Sequence, residues 1–160
     1  MKVQIDDAMY ILDPQFKNQS ELLNQLYDPR SQEPIQLQSQ YVNKEIWRII
    51  ERYYVLNNFK PKQTEVNCDD ESIVFAPQDL EVLRMIKNSN ISIHKFLLAA
   101  RYLNLPLFQD LLISKLATEF YVDVTKPKQS LDNLCKKYPQ VPVVTKEEIK
   151  QYNQVLQYLI

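Results

Sequence analysis

The most apolar stretch of the chain decides the fold: residues 93–105 read IHKFLLAARYLNL, and residues 106–116 continue with PLFQDLLISKL. The first run has helical spacing, with an apolar stripe at Phe96, Leu97, Ala100 and Leu103. Ser92 precedes this run as a candidate N-cap, and Pro106 ends the first helix and begins a second. The second helix is predicted to turn inward Phe108, Leu111, Leu112 and Leu116. We therefore predict two consecutive core helices.

Strand signals lie upstream of these helices, within the first forty residues. Apolar residues alternate with polar ones at 3–5 and recur at 9–12, and the acidic pair at 6–7 suits a turn between them. A third alternation at 35–37 predicts another short strand. Between the second and third strands, Ser20 is placed to cap a short helix whose apolar residues are Leu22, Leu23, Leu26 and Tyr27.

The middle of the chain carries the clearest helix, with one unbroken apolar stripe at Ile46, Ile49, Ile50, Tyr53 and Tyr54. Trp47 lies just off that stripe and can pack at its edge or reach a partner. Residues 56–72 are polar, contain Pro61 and the acidic run 69–71, and predict a surface loop. Pro77 suits the first turn of a further helix that carries Leu80, Leu83 and Ile86.

The residues from 125 onward differ from the rest. A polar hinge at 125–129 precedes a short helix with apolar residues Leu131, Leu134, Cys135 and Tyr138. Pro139 and Pro142 bracket an extended link, and residues 145–148, TKEE, form a capping box. The helix that this box opens carries Ile149, Tyr152, Leu156 and Leu159. Two short amphipathic helices cannot bury their apolar stripes alone, so they need the main domain or another chain.

These patterns together predict an α+β fold. A small three-stranded sheet packed with helices occupies residues 1–124, and a two-helix extension for partner binding occupies residues 125–160. The chain has 160 residues in all, which suffices for a hydrophobic core.

Composition excludes several function classes. The net charge is −1, so the chain presents no phosphate-binding field and we expect no nucleic acid partner. No window approaches about 18 uninterrupted apolar residues, and no signal-peptide or transit pattern opens the chain, so we expect no membrane association. Glycine is absent, which excludes a Walker-type loop, a GxGxxG turn and a GxSxG elbow.

Residue types that carry catalysis or metal binding are scarce. His94 is the only histidine and lies in a predicted helix, while Cys68 and Cys135 are far apart and predicted to be reduced thiols. The acidic run at 69–71 lacks the spaced ligands of a calcium loop and predicts a solvated turn. No nucleophile–base arrangement is evident. We therefore predict that the chain is not an enzyme, with no catalytic residues, no metal and no cofactor.

Residues 93–105 also resemble a motif of the S-phase-kinase-associated (Skp) adaptor family, LFELILAANYLDI. Residues 134–138, LCKKY, are similar to the family's IRKTF, and residues 145–148 are in register with its FTEEE. Further matches are Asp110 and Ala117 within the family's GLLD…TVA, and residues 35–37, IQL, against its VPL strand. The similarity spans residues 2–157, and its order and register carry the resemblance.

The resemblance implies a POZ/BTB-like domain that bridges a cullin scaffold to F-box proteins in a ubiquitin ligase. On that model Arg101 and Tyr102 face the cullin, and the extension grips an F-box-like or other helical partner. The partner-binding residues so implied are Leu131, Leu134, Tyr138, Val143, Ile149, Tyr152, Leu156, Tyr158 and Leu159. This chain departs from the family where Arg101 replaces an Asn and Tyr158 replaces a Trp.

Two other functions stay open at the level of sequence. A Skp-like chain can instead be a permanent structural subunit of another large assembly, axonemal or kinetochore-like, and an intact cullin-facing surface separates the two roles. An enzyme or small-molecule binder would need a convergent polar pocket. In either of the first two roles we expect a member of a heteromeric complex in the cytoplasm or nucleus, or in a cytoskeletal or ciliary assembly.

Overall fold

A β-hairpin opens the chain in the computed structural model, which describes residues 1–38, 40–123 and 125–139. β1 (Lys2–Ile5) pairs antiparallel with β2 (Ala8–Ile11) across a two-residue turn, as predicted. β3 (Ile35–Leu37) lies on the other side of β1 and runs parallel to it. Within the described residues the sheet is therefore mixed, with the order β2–β1–β3. The predicted α+β class with a small three-stranded sheet is confirmed.

Helices make up most of the remaining structure. A short 3-10 helix (Pro14–Asn18) and α1 (Glu21–Leu26) precede β3. After it come α2 (Lys44–Leu56), α3 (Glu71–Val74), α4 (Pro77–Asn88), α5 (Ile93–Tyr102), α6 (Pro106–Glu119) and α7 (Pro127–Lys137). None of the helices in the described ranges is both long and apolar enough to cross a bilayer. The chain divides into two compact units, Met1–Glu119 and Phe120–Ile160.

Helix starts follow the capping chemistry read from the sequence in most cases. Ser20 caps α1 as predicted, since its hydroxyl accepts a hydrogen bond from the Leu23 N–H at 3.1 Å. Pro77 and Pro106 occupy the first turns of α4 and α6, also as predicted. Ser92 stands at the N-cap position of α5, but its side chain makes no capping hydrogen bond. The predicted N-cap position of Ser92 is therefore confirmed, although its hydroxyl does not cap the helix.

The acidic run at 69–71 leads into a helix: Asp69 and Asp70 are exposed, as predicted for a solvated turn, but Glu71 is the first residue of α3. Asp70 caps α3, and its carboxylate accepts a hydrogen bond from the Ser72 N–H at 2.9 Å. Glu71 forms an ion pair with Lys115 at 2.7 Å, which fastens α3 to α6. A similar correction applies to the predicted hinge at 125–129, because α7 already begins at Pro127. The spacing of apolar residues predicted neither helix start, because α3 begins after the capping residue Asp70 and α7 begins at Pro127.

The polar segment after α2 is anchored to α6 through backbone groups. Asp110 accepts a hydrogen bond from the Thr64 N–H at 2.8 Å, and the Ser114 hydroxyl donates to the Thr64 carbonyl at 3.4 Å. Pro61, in the same segment, is buried. The predicted surface loop is therefore held against the helical core.

Aromatic rings form the centre of the core. The Phe16 ring lies 5.4 Å from Trp47, 5.6 Å from Tyr54 and 5.1 Å from Phe59. Trp47 is completely buried, so the alternative in which it contacts a partner protein is wrong. The buried face of α2 is therefore wider than the predicted apolar stripe and includes Trp47. Three residues predicted for the core are only partly buried, namely Leu80, Leu97 and Leu116.

The chain turns without glycine by placing other residues at positive φ. In the described part these are Asp6, Asn58, Phe59, Asn90 and Asn104, with φ between 49° and 57°. Asn and Asp tolerate this left-handed region better than other residues that carry a Cβ. Asn90 follows the end of α4 and Asn104 the end of α5, where glycine is the usual residue.

The helix end at Asn90 provides a test of this substitution for glycine. We expect Asn90→Ala to lower the free energy of unfolding by about 1 kcal/mol, because alanine is strained at φ 57°. Asn90→Gly should leave stability unchanged or raise it. Chemical denaturation of the two variants measures the difference. Asn88→Ala, the same change within α4, is the matched control, and an equal loss there would contradict the explanation.

Candidate protein-binding surfaces

One face of α5 is exposed, and the other packs into the core. The buried side chains are Phe96, Ala99 and Ala100. His94, Leu98 and Arg101 are exposed, and their spacing of four and three residues places them on one outer face. Leu98 is 40% exposed, which is high for a leucine within a core helix. The outer face of α5 therefore combines an apolar and a cationic group.

Tyr102 completes this face at the end of α5. Its ring stacks on Tyr41, with centroids 4.8 Å apart and planes inclined by 23°. Its hydroxyl accepts a hydrogen bond from the Gln38 N–H at 3.3 Å. Two contacts thus hold the ring in place while part of it stays accessible. We refer to the set Tyr41, Leu98, Arg101 and Tyr102 as the α5 surface.

Hydrogen bonds to α1 fix the end of α5 that presents this surface. The Ser20 hydroxyl donates to the Leu103 carbonyl, and the Asn104 amide donates to the Glu21 carboxylate. Ser20 and Leu103 are both buried, so this bond is shielded from water. Because the last turn of α5 is tied to another helix, Arg101 and Tyr102 project from a rigid support.

The α5 surface carries one positive charge, that of Arg101. The helix itself contains Lys95 and Arg101 and no acidic residue. Arg101 is exposed and makes no ion pair with any described residue. A guanidinium is always charged and offers planar donors that suit carboxylates and aromatic faces. The surface is therefore suited to a protein partner that supplies acidic and aromatic groups.

A second exposed apolar surface lies on α7, within the unit Phe120–Ile160. None of the eleven residues of α7 is buried, and Leu131 is 51% exposed. Tyr138 stacks on Phe120 at 5.0 Å with the planes 24° apart, and the Lys137 ammonium lies 5.3 Å from the Tyr138 ring centre. Leu134, which lies between Leu131 and Tyr138 in the sequence, is half-buried. We refer to Phe120, Leu131, Leu134 and Tyr138 as the α7 surface.

The exposure of α7 has an energetic consequence. An isolated helix of eleven residues is only marginally stable in water. Ordering the backbone of the first turn costs conformational entropy, and a short helix forms few hydrogen bonds to offset that cost. Helices in proteins gain most of their stability from packing an amphipathic face. The α7 surface therefore offers stabilisation to any protein that covers it.

The predicted site residues fall into three groups. Arg101 and Tyr102 share the α5 surface, and Leu131, Leu134 and Tyr138 share the α7 surface. The other predicted partner-binding residues, which lie outside the described residues, are Val143, Ile149, Tyr152, Leu156, Tyr158 and Leu159.

Three residues of the two surfaces were missed at the level of sequence. Leu98 lies one helical turn before Arg101, so helical spacing alone could have found it. Phe120 precedes the predicted hinge and belongs to no apolar stripe with helical spacing, so periodicity did not identify it. Tyr41 is distant from Tyr102 in sequence, and only the folded chain brings the two rings together.

No arrangement for catalysis emerges from the described residues. Within them, no group of three or more His, Cys, Asp or Glu side chains could hold a metal ion. Cys68 and Cys135 are free thiols. A cleft of about 560 Å³ lies beside β3 and is lined mainly by residues 26–36. Its charged side chains are Lys2, Asp28 and Glu33, and its lining includes no histidine or cysteine.

No protein-family model matches the chain, and a search of curated proteins finds no match. The functional assignment therefore depends on the two surfaces and on their chemistry.

Proposed function

We propose that this chain is a non-enzymatic protein–protein adaptor of the Skp type, with a POZ/BTB-like domain and a helical extension. The observation that carries the proposal is α7, an eleven-residue helix with no buried side chain. A partner helix packed on Leu131 and Leu134 would bury apolar surface that these two residues leave exposed. On this proposal an F-box-like helix is the partner.

The architecture supports the POZ-like part of the proposal. The chain begins with a hairpin, adds a short third strand beside β1, and then continues in helices. This order agrees with the resemblance of residues 93–105 and 134–138 to the Skp family. The α5 surface is then the side that contacts the cullin scaffold, through Arg101 and Tyr102.

Arg101 distinguishes the two forms that this function can take. An exchanging ubiquitin-ligase adaptor must bind a cullin, and the family has an Asn at this position. Arg101 is larger, and burying its charge without an acidic partner is costly. A Skp-like subunit held permanently in another assembly has no such requirement, and this exposed arginine favours that second form.

Binding to a cullin N-terminal domain tests the proposal. We expect Arg101→Asn to bind about tenfold more tightly than the unaltered chain, which corresponds to about 1.4 kcal/mol. Isothermal titration calorimetry of the purified proteins measures both affinities. Arg84→Asn is the matched control, because Arg84 is an exposed arginine on α4 and is not part of the α5 surface.

The outcomes separate the two forms of the function. Weak binding by the unaltered chain with tighter binding by Arg101→Asn supports a permanent subunit that retains the cullin-facing geometry. Tight binding by the unaltered chain, unaffected by Arg101→Asn, contradicts the assigned role of Arg101. If no cullin binds either protein, the cullin-adaptor role is wrong.

A further inference from the structure

The outer edge of β2 is unpaired in the part of the chain that the structure describes, because β1 pairs with it on one side only. The Leu12 N–H donates a hydrogen bond to the Met1 carbonyl at 2.8 Å, which makes Met1 and Leu12 a hydrogen-bonded pair. Farther along the same register, Val3 is opposite Tyr10 and Gln4 is opposite Met9. In an antiparallel pair, hydrogen-bonded and non-hydrogen-bonded positions alternate. Met9 and Ile11 are therefore non-hydrogen-bonded positions, and their N–H and C=O groups point away from β1.

The same two residues expose apolar side chains. Met9 is 54% exposed and Ile11 is 81% exposed. They lie on the face of the sheet opposite the buried Val3 and Ile5, since side chains alternate along a strand. β2 reads AMYI, so it has no lysine or proline of the kind that protects many natural edge strands. Both the backbone and the side chains of this edge are thus able to accept another strand.

We propose that β2 pairs in antiparallel orientation with β2 of a second copy of this chain, with Tyr10 at the twofold axis. This register places Met9 opposite Ile11 of the second copy, and Ile11 opposite Met9 of the second copy. Each of these two pairs can exchange two backbone hydrogen bonds, because all four residues point their polar groups toward the free edge. The two sheets then become one continuous sheet.

Only this register pairs both outward residues with apolar residues. If the register shifts so that Met9 lies opposite Met9 of the second copy, Ile11 lies opposite Asp7. If it shifts so that Ile11 lies opposite Ile11 of the second copy, Met9 lies opposite Asp13. Apolar pairs across strands are stabilising, whereas an aliphatic side chain against a carboxylate gains nothing. Self-pairing is therefore complementary in sequence as well as in hydrogen bonding, and this selects a second copy over an unrelated strand. The contact is small, so the dimer is weak.

Site-specific disulfide formation tests the register. The background is the double variant Cys68→Ser and Cys135→Ser, which removes both native thiols. Met9→Cys and Ile11→Cys are prepared separately in that background, with tags of different size, and are oxidised alone and as an equal mixture. Directly opposite residues have Cα atoms about 5.5 Å apart, within disulfide range, whereas the same residue in two copies is beyond the limit of about 7 Å.

We expect the mixture to give a disulfide-linked heterodimer several-fold above the level in either protein alone. Ile73→Cys in the same background measures random collision, because Ile73 is 69% exposed and lies on α3, outside β2. Cross-linking no higher than this control overturns the proposal and leaves the edge to a strand of another protein. Cross-linking that is strongest in Met9→Cys alone or in Ile11→Cys alone also overturns it, since the register would be shifted.

Sedimentation equilibrium provides an independent measurement on the chain with its native cysteines. We expect concentration-dependent self-association that Ile11→Lys abolishes, because a lysine on an edge strand opposes pairing. Ile73→Lys should leave the association unchanged. A monomer at every concentration, or equal association in all three proteins, contradicts the dimer. This inference is independent of the cullin and F-box roles, because β2 lies outside both the α5 and α7 surfaces.

Discussion

Replacing Trp47 with alanine is expected to lower the free energy of unfolding by about 3–5 kcal/mol, the range for truncating a large buried aromatic residue. Trp47 is completely buried and packs 5.4 Å from Phe16. Domains of this size have a total stability of about 5–15 kcal/mol, so the loss should be visible as a large shift of the denaturation midpoint. Circular dichroism is the suitable probe, because Trp47 is the only tryptophan and its replacement removes the tryptophan fluorescence that would otherwise report unfolding.

Trp47→Phe should behave very differently. The indole N–H of Trp47 is buried without a hydrogen-bond partner among the described residues, so removing it relieves an unfavourable burial. A phenyl ring retains most of the packing, and we expect a loss under about 1.5 kcal/mol. If Trp47→Phe costs as much as Trp47→Ala, the indole N–H has a role that the described contacts do not include.

Charging the α7 surface is expected to abolish partner binding. Burial of a leucine contributes about 1.5–3 kcal/mol, so the double variant Leu131→Asp, Leu134→Asp should lose at least about 3 kcal/mol, or about 100-fold in affinity. The melting temperature should change little, because Leu131 is 51% exposed and Leu134 is only half-buried. Fluorescence anisotropy with a purified F-box domain measures the affinity, and differential scanning calorimetry measures the melting temperature.

The matched control is the double variant Gln129→Asp, Asn133→Asp. Both residues are exposed and belong to the same helix, and each double variant adds two carboxylates, so the added charge is equal. We expect this control to bind as the unaltered chain does. Equal losses in both variants would indicate a general charge effect, and a large fall in melting temperature in the leucine variant would show that these residues pack within their own chain.

Local signals predicted the elements whose stabilising contacts are close in sequence. The apolar stripe of α2 recurs with the helical period, and the cap at Ser20 needs only the N–H of Leu23, three residues later. The hairpin depends on a short turn between two alternating segments. In each case the determining interaction lies within one or two turns of chain, so the residue order alone specifies it.

The candidate sites divide in the same way. Arg101 and Tyr102 were found through the resemblance to the Skp family, and the apolar stripe of α7 through its helical period. The role of Tyr41 could not be predicted, because its contact with Tyr102 joins two distant parts of the chain. The exposed edge of β2 became apparent only once β3 was seen on the far side of β1.

The three strands, most helix starts and the amphipathic character of α7 follow from the residue order alone, since periodicity and capping specify them. The burial of Trp47, the hydrogen bond from the Thr64 N–H to Asp110, and the stacking of Tyr41 on Tyr102 depend instead on the tertiary fold. Each of these depends on which distant surfaces pack together. That choice is made by close packing of the whole core, which no short stretch of sequence encodes.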